Sequence, residues 1–364
     1  MKISEIISLI EDVAPLSLQE DYDNAGLQVG DKNNEATGAL LCIDVTEDII
    51  DEAVQKGLNL VISHHPLLFK GLKSITGKNY IERVVIKAIK NNISIYSAHT
   101  NLDNAPGGVN YKIAEKLNLR NVQILSPQKG KLLKLIVFVP TEHADKVREA
   151  MLTAGAGKIG NYDMCSYNLD GYGTFRACEG AEPYCGEVGA IHKENEVRIE
   201  VILPEYNRGS VLKAMLMAHP YEEPAYDILQ LENTNAYAGS GVVGELCDSV
   251  DEIEFLKTIK DVFKVGVIKY SSLTGKKIKR VALCGGSGAF LINDAIRANA
   301  DLFLTGEVGY HNFFMAEKKI LLVEAGHYET EQYTKDIFCD IITKKFPNFA
   351  VQYTDIEPNS INYL

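Results

Sequence analysis

No stretch of this chain approaches the run of about 18 apolar residues that would span a bilayer, so a membrane partner is not expected. The first residues, Met1-Lys2-Ile3-Ser4-Glu5, reach Glu11 and Asp12 without a long apolar core and do not read as a signal peptide. Paired cysteine spacing is also missing. The seven cysteines are odd in number, scattered, and include no Cys-x-x-Cys, which reads as reduced, mostly buried thiols of a cytoplasmic protein. Basic charge is in deficit, with 37 Lys and Arg against 49 Asp and Glu and a net charge of −12. That argues against a general nucleic-acid surface, which needs cations to displace counterions, while a local basic groove stays open. A Walker-type phosphate loop is absent as well. Gly285-Gly286-Ser287-Gly288 lacks the Lys-Ser/Thr that should come after it, and reads as a turn after a strand.

What is present points to two or three domains, because 364 residues exceed one ordinary core. Ile3, Ile6, Ile7 and Ile10 recur at helical spacing until Pro15. Asp23-Asn24-Ala25-Gly26 is turn chemistry leading to an extended piece closed by Gly30. Residues 39–45 read as a buried strand, 47–56 as a helix capped by Thr46, and 58–63 as the next strand. This β-α-β unit implies parallel strands and a right-handed crossover. Next come a helix over 79–91, a strand over 93–98 and a helix over 109–117. The pattern changes near Ser126-Pro127. Strands over 133–139, 196–203 and 226–231, helices over 143–154 and 206–217, and a Tyr- and Gly-rich meander over 160–190 suggest an inserted ferredoxin-like module. The first pattern then resumes, with strands over 281–284, 301–305 and 320–324 and helices over 289–299 and from 327 to about 344. The expected division is 1–126, an insert at 127–234, and 235–364.

Leu60-Val61-Ile62-Ser63-His64-His65-Pro66 is a buried strand stopped by a proline. It delivers two imidazoles to a strand's carboxyl end, where open α/β sheets place their sites. The second half repeats the pattern. Twenty-one positions separate Cys42 from Ser63, and the same number separates Cys284 from Thr305. One strand ends in His64-His65, the other in Gly306-Glu307. The next strand of each half ends in a pair four residues apart, His99 with Asp103 and His327 with Glu331. Such spacing puts two side chains on one helical face. Five or six imidazole and carboxylate candidates exceed one tetrahedral shell. They suit two ions of zinc, manganese or iron bridged by carboxylate. Glu307 and His311 belong to the edge equivalent to His64-His65 and are either pocket-lining or an ordinary helix-start pair.

Taken together, Asp23–Gly30, Ser63-His64-His65-Pro66, His99-Thr100-Asn101-Leu102-Asp103 and Gly326-His327-Tyr328-Glu329-Thr330-Glu331 resemble the Nif-three-like family, also catalogued as GTP cyclohydrolase I type 2 homologues. The likeness covers about 1–125 and 240–364. The centre is similar to the PII-like or CutA-like insert of longer members, although 160–190 matches no motif. The family often carries Trp before the Asp-Asn, where this chain has Tyr22. The resemblance implies an α/β fold of two pseudo-repeated βαβ halves with an inserted ferredoxin-like domain, assembled as a homohexameric ring. It implies two divalent ions per chain on His64, His65, Asp103, His327 and Glu331, with Asp103 and Glu331 as the bridging carboxylates. His99 matches the motif as an outer neighbour or a proton shuttle, and as the counterpart of His327 in the repeat it stays open as a direct ligand. The activity it implies is metal-dependent hydrolysis of an anionic substrate, a nucleotide or other phosphorylated molecule, as in GTP ring opening. The alternative is a non-enzymatic, metal-loaded ring whose insert senses a small effector. His219-Pro220-Tyr221-Glu222-Glu223-Pro224 is the insert's most unusual stretch and reads as a rigid loop.

Overall fold

A computed structural model describes residues 1–356 and 359–362. It divides into two compact units, Met1–Pro127 with Tyr237–Leu364, and Gln128–Ala236. The chain leaves and re-enters the first unit within the strands Arg120–Lys129 and Thr234–Val250.

The first unit holds two sheets. One contains, in spatial order, Gly26–Val29, Ser94–Ser97, Leu60–Ser63, Ala39–Cys42 and Val351–Tyr353. The other runs Lys269–Tyr270, Leu321–Glu324, Leu302–Thr305, Ile278–Cys284, Thr234–Val250 and Arg120–Lys129. Each has a parallel core of three strands joined through helices, and each carries an antiparallel edge strand beside its third core strand. The three core strands of the first sheet are buried at every residue, as expected when both faces are covered. Ile49, Ile50, Ala53, Val84, Val85 and Ala88 of the helices Glu47–Gln55 and Tyr80–Lys90 cover one face through Leu40, Val61 and Ile95. Thr46 caps the first of these helices by accepting from the Ile49 N–H.

Several elements depart from the sequence expectation. The helix expected over 289–299 is a 3₁₀ turn, Ala289–Leu291, and then a helix, Ile292–Arg297, with Asn299 left-handed just beyond. The helix expected from 327 is two helices, His327–Glu331 and Thr334–Lys345. At their junction Gln332 Nε2 donates to the Phe263 carbonyl at 2.9 Å and to the Glu329 carbonyl at 2.8 Å. Tertiary anchoring there outweighs helical continuity. The strand Val351–Tyr353 lies next to Ala39–Cys42, far from it in sequence. The buried Glu52 fastens the residues just beyond this strand by accepting from Asp355 N at 2.8 Å and from the Thr354 hydroxyl.

The second unit runs strand, helix, strand, strand, helix, strand: Leu132–Pro140, Ala144–Thr153, Tyr167–Arg176, Ile191–Pro204, Arg208–Ala218 and Tyr226–Leu231. Its sheet is ordered second, third, first, fourth strand, with every neighbouring pair antiparallel, the split βαβ arrangement. Val137, Val139, Ile199 and Val201 meet Val147, Met151, Val211 and Met215 in one core, so both helices cover the same face. The expected meander over 160–190 contributes only one strand, Tyr167–Arg176. After it, alternation fails and Gly180, Gly186 and Gly189 take positive φ, which turns 177–190 into an irregular loop.

Candidate metal centre

The carboxyl ends of both parallel cores supply one pocket inside the first unit. Its volume is about 410 Å³, and its lining includes His65, His99, Asp103, His327, Glu331 and Cys284. His64 and His65 come directly after Leu60–Ser63, while His99 comes one residue beyond Ser94–Ser97. Ser63 Oγ and Ser97 Oγ bond at 2.7 Å, and Ser97 also donates to the His65 carbonyl at 3.2 Å, which fixes the two strand ends together. Asp103 closes the short helix Thr100–Asp103, and His327 and Glu331 occupy the two ends of His327–Glu331.

Four imidazoles share one orientation. Nδ1 of His64 faces the Ala98 carbonyl at 2.9 Å. Nδ1 of His65 faces Asp44 at 2.8 Å, that of His99 faces Asp23 at 2.8 Å, and that of His327 faces Glu307 at 3.0 Å. An Nδ1–H engaged by an outer acceptor sets the tautomer and leaves Nε2 as the inward atom, the arrangement of metal-ligating histidines. Nε2 of His65 meets Glu331 at 2.8 Å and Nε2 of His327 meets it at 3.2 Å. Nε2 of His64 lies 3.6 Å from both Asp103 Oδ1 and Glu331 Oε1. His64 is fully buried. Neither its Nε2 nor Asp103 Oδ1 has a hydrogen-bond partner among the described residues. Two buried ligand atoms that converge without a hydrogen bond fit a cation, because unsatisfied buried polar atoms are costly.

In this cluster three groups have ligand atoms mutually within 4.8 Å: His64, Asp103 and Glu331; His65, His327 and Glu331; and His64, His65 and His99. Glu331 belongs to two of them, and His99 joins the cluster through His64 and His65.

The electrostatics follow from burial. Burial lowers the His64 pKa. Burial also opposes charge on His65, but the Asp44 and Glu331 carboxylates outweigh it and raise that pKa to about 10. His327, likewise buried but held by Glu331, rises to about 9. Burial and then the nearby charge of Glu331 push Asp103 well above the carboxylate range. Glu331 goes the other way, since the surrounding imidazoles overcome its burial. Asp23 is held at about 2, because its bonds to His99, Thr100 and Asn24 overcome burial.

Position 286 favours glycine. Its φ is +59°, and a Cβ there would stand 2.1 Å from Glu331 Oε1 and 3.3 Å from His327 Nε2. The turn after the strand Ile278–Cys284 therefore forms a wall of the pocket. Glu307 is exposed but reaches His327. His311 is exposed, packs against Tyr310 and Phe314, and lies outside the pocket lining.

The profile of the family described as Duf34/NIF3 (NGG1p interacting factor 3) matches residues 1–360. The chain belongs to the DUF34/NIF3 family. A Bacillus subtilis relative named "GTP cyclohydrolase 1 type 2 homolog" is 38% identical over 364 residues, 97% of each chain. One of the same name from Halalkalibacterium halodurans is 42% identical over 315 residues, 85% of each. The crystal structure of a Bacillus cereus protein related to NIF3 superposes with a TM-score of 0.85 at 36% identity, covering 100% of this chain and 99% of that one.

In this DUF34/NIF3 member, sequence reasoning missed Asp44. It lies just past the carboxyl end of the strand Ala39–Cys42, the kind of position that flagged His64, and that was its available signal. Asp44 orients His65 through Nδ1. Asp44→Asn keeps the shape but removes the anion, and should weaken divalent-ion binding by about 10- to 100-fold, the usual cost of losing an outer partner. Equilibrium dialysis with zinc checks this; unchanged affinity would mean Asp44 is only a surface acceptor.

Proposed function

We propose that this protein is a metal-dependent hydrolase of a nucleotide or other phosphorylated substrate, working with two divalent ions per chain. His64, His65, Asp103, His327 and Glu331 would hold them, with Glu331, which belongs to two of the ligand groups, as a bridge. The observation that carries this reading is the buried, unpartnered pair His64 Nε2 and Asp103 Oδ1. When bound, such ions supply Lewis acidity and an activated water.

The chain's own residues do the rest. Asp23 accepts from His99 Nδ1 and from the Thr100 N–H and hydroxyl, so His99 is held with Nε2 free to move a proton. Tyr22, Phe69 and Phe290 line the same pocket. The relatives' name supports GTP as a first substrate to try. The ring assembly belongs to the same proposal, with six copies of the chain.

The test begins with metal analysis. The protein is then reconstituted with zinc, manganese or iron(II) and assayed on GTP and a panel of phosphoesters. Turnover is expected, with a loss of at least about 10²-fold in Asp103→Ala and His99→Gln, the scale for a metal ligand or general acid–base group. Fewer than one ion per chain, or no turnover with any metal, would overturn the reading.

One observation favours a second reading, a metal-loaded scaffold that senses an effector. The Gln128–Ala236 unit has its own cavity of about 580 Å³, lined by Phe138, Leu169, Tyr172, Phe175, Tyr184 and Tyr221 among others. Its aromatic lining suits a small ligand. Saturable effector binding there without any turnover would decide for it.

A further inference from the structure

The Gln128–Ala236 unit contains a second convergence of donors, of different chemistry. His192 and Glu194 alternate along the strand Ile191–Pro204 and so project from one face. His192 Nε2 meets Glu194 Oε2 at 2.9 Å, and both side chains are partly exposed, at 29% and 28%. Cys185 comes from the irregular loop 177–190. Its sulfur and the donors of His192 and Glu194 all lie within 4.8 Å of one another.

Glycines bring these parts together. Gly186, next to Cys185, has φ +80°, and a Cβ there would stand 2.8 Å from His192 Cβ and 2.9 Å from Cγ. The loop is thus pressed against the imidazole in a way that only glycine permits. Gly173 pairs with Glu194 across the sheet, and a Cβ on it would meet the Glu196 carboxylate at 2.3 Å. Glu196 in turn accepts from the Tyr221 hydroxyl at 3.0 Å, and Tyr221 lies 3.9 Å from the Cys185 sulfur. Other histidines nearby are spoken for. His219 is engaged at both nitrogens, by the Phe138 carbonyl and the Tyr221 N–H, and His143 bonds Tyr184.

We propose that Cys185, His192 and Glu194 form a mononuclear site for a thiolate-accepting divalent cation, zinc first. Thiolate with imidazole and carboxylate is a borderline-soft set that selects zinc over calcium or magnesium. Three protein donors leave one position for water or a ligand. The site contrasts with the pocket of the first unit, whose proposed ligand set has no sulfur. A bound ion ties the loop 177–190 to the strand. The same loop supplies Ala181, Pro183 and Tyr184 to the wall of the 580 Å³ cavity, so the ion would order that wall.

The experiment uses the full chain and cobalt(II), whose bond to thiolate gives a near-ultraviolet charge-transfer band that nitrogen and oxygen ligands do not. The band is expected in the unaltered protein. It should be lost in Cys185→Ser and in His192→Ala and retained in Cys178→Ser, Cys284→Ser and Asp103→Ala. Bound zinc should fall by one ion per chain in Cys185→Ser. Cys185 sits in an irregular loop, so melting of the metal-free variant should match that of the unaltered protein. No band in the unaltered protein, a band that survives Cys185→Ser, or loss only in Cys284→Ser would each overturn the site. Because Asp103→Ala removes only the other pocket, failure here is distinct from failure of the proposed hydrolase.

Discussion

Glu331→Gln should abolish stoichiometric metal binding in the first unit, lowering affinity by more than the roughly 100-fold expected for an outer partner. Glu331 is only 3% exposed, yet the inward nitrogens of His64, His65 and His327 all face it. The amide keeps the volume and loses the charge, so the change isolates electrostatics. With metal chelated, the variant should also lose about 3 kcal/mol of stability, the scale for removing one partner of a buried pair. The pH dependence gives a second signature. His65 and His327 titrate in the folded chain at about 10 and about 9, above the roughly 6.5 of a free imidazole. Raised imidazole values contribute stability that is fully present below pH about 6.5 and is lost as pH rises through about 9 to about 10. That alkaline loss should be blunted in Glu331→Gln. Metal analysis and chelated melts across pH check both points. Full metal content in the variant would remove Glu331 from the ligand set.

Gly286→Ala should be nearly as damaging, although it adds one methyl group. The left-handed φ of +59° alone costs an alanine about 1 kcal/mol. The larger effect is steric, since the new Cβ would stand 2.1 Å from Glu331 Oε1, and the carboxylate must then leave the position where it meets three histidines. Backbone is at stake too. Gly286 N donates to Thr330 Oγ1 at 3.0 Å, and its carbonyl accepts from Gly306 N at 2.8 Å and Glu307 N at 3.1 Å. Moving the turn therefore disturbs both the helix carrying Glu331 and the segment carrying Glu307. Metal content should fall in parallel with that of Glu331→Gln. Gly71→Ala is the control, because a Cβ there meets nothing within 4 Å and its φ is ordinary; it should bind metal normally. Normal binding by Gly286→Ala would show that Glu331 has more room than its position implies.

The sequence by itself determined the parts that depend on local pattern. Uncharged, mostly apolar runs at 39–42, 60–63 and 94–97 are strands because no charge interrupts their burial, and Pro66 marks where one must stop. Equal spacing from Cys42 to Ser63 and from Cys284 to Thr305 made the repeated order of strands legible. It also singled out His64, His65, His99, Asp103, His327 and Glu331 as residues at equivalent ends. The DUF34/NIF3 membership was legible in the same motifs.

Only the tertiary structure decided which atoms meet. Asp44, Asp23 and Glu307 hold imidazoles through contacts across 21, 76 and 20 positions, and no periodicity encodes such pairs. It separated Glu307, which reaches His327, from His311, which does not line the pocket. The break after Glu331 comes from a Gln332 bond to Phe263, and the strand Val351–Tyr353 from pairing with residues more than 300 positions away. Cys185 showed no ligand spacing to His192 and Glu194, because an irregular loop brings it to their strand. Periodicity reports which face a residue occupies. Convergence depends on long-range packing, and there the buried ligand atoms of His64 and Asp103 came to face each other.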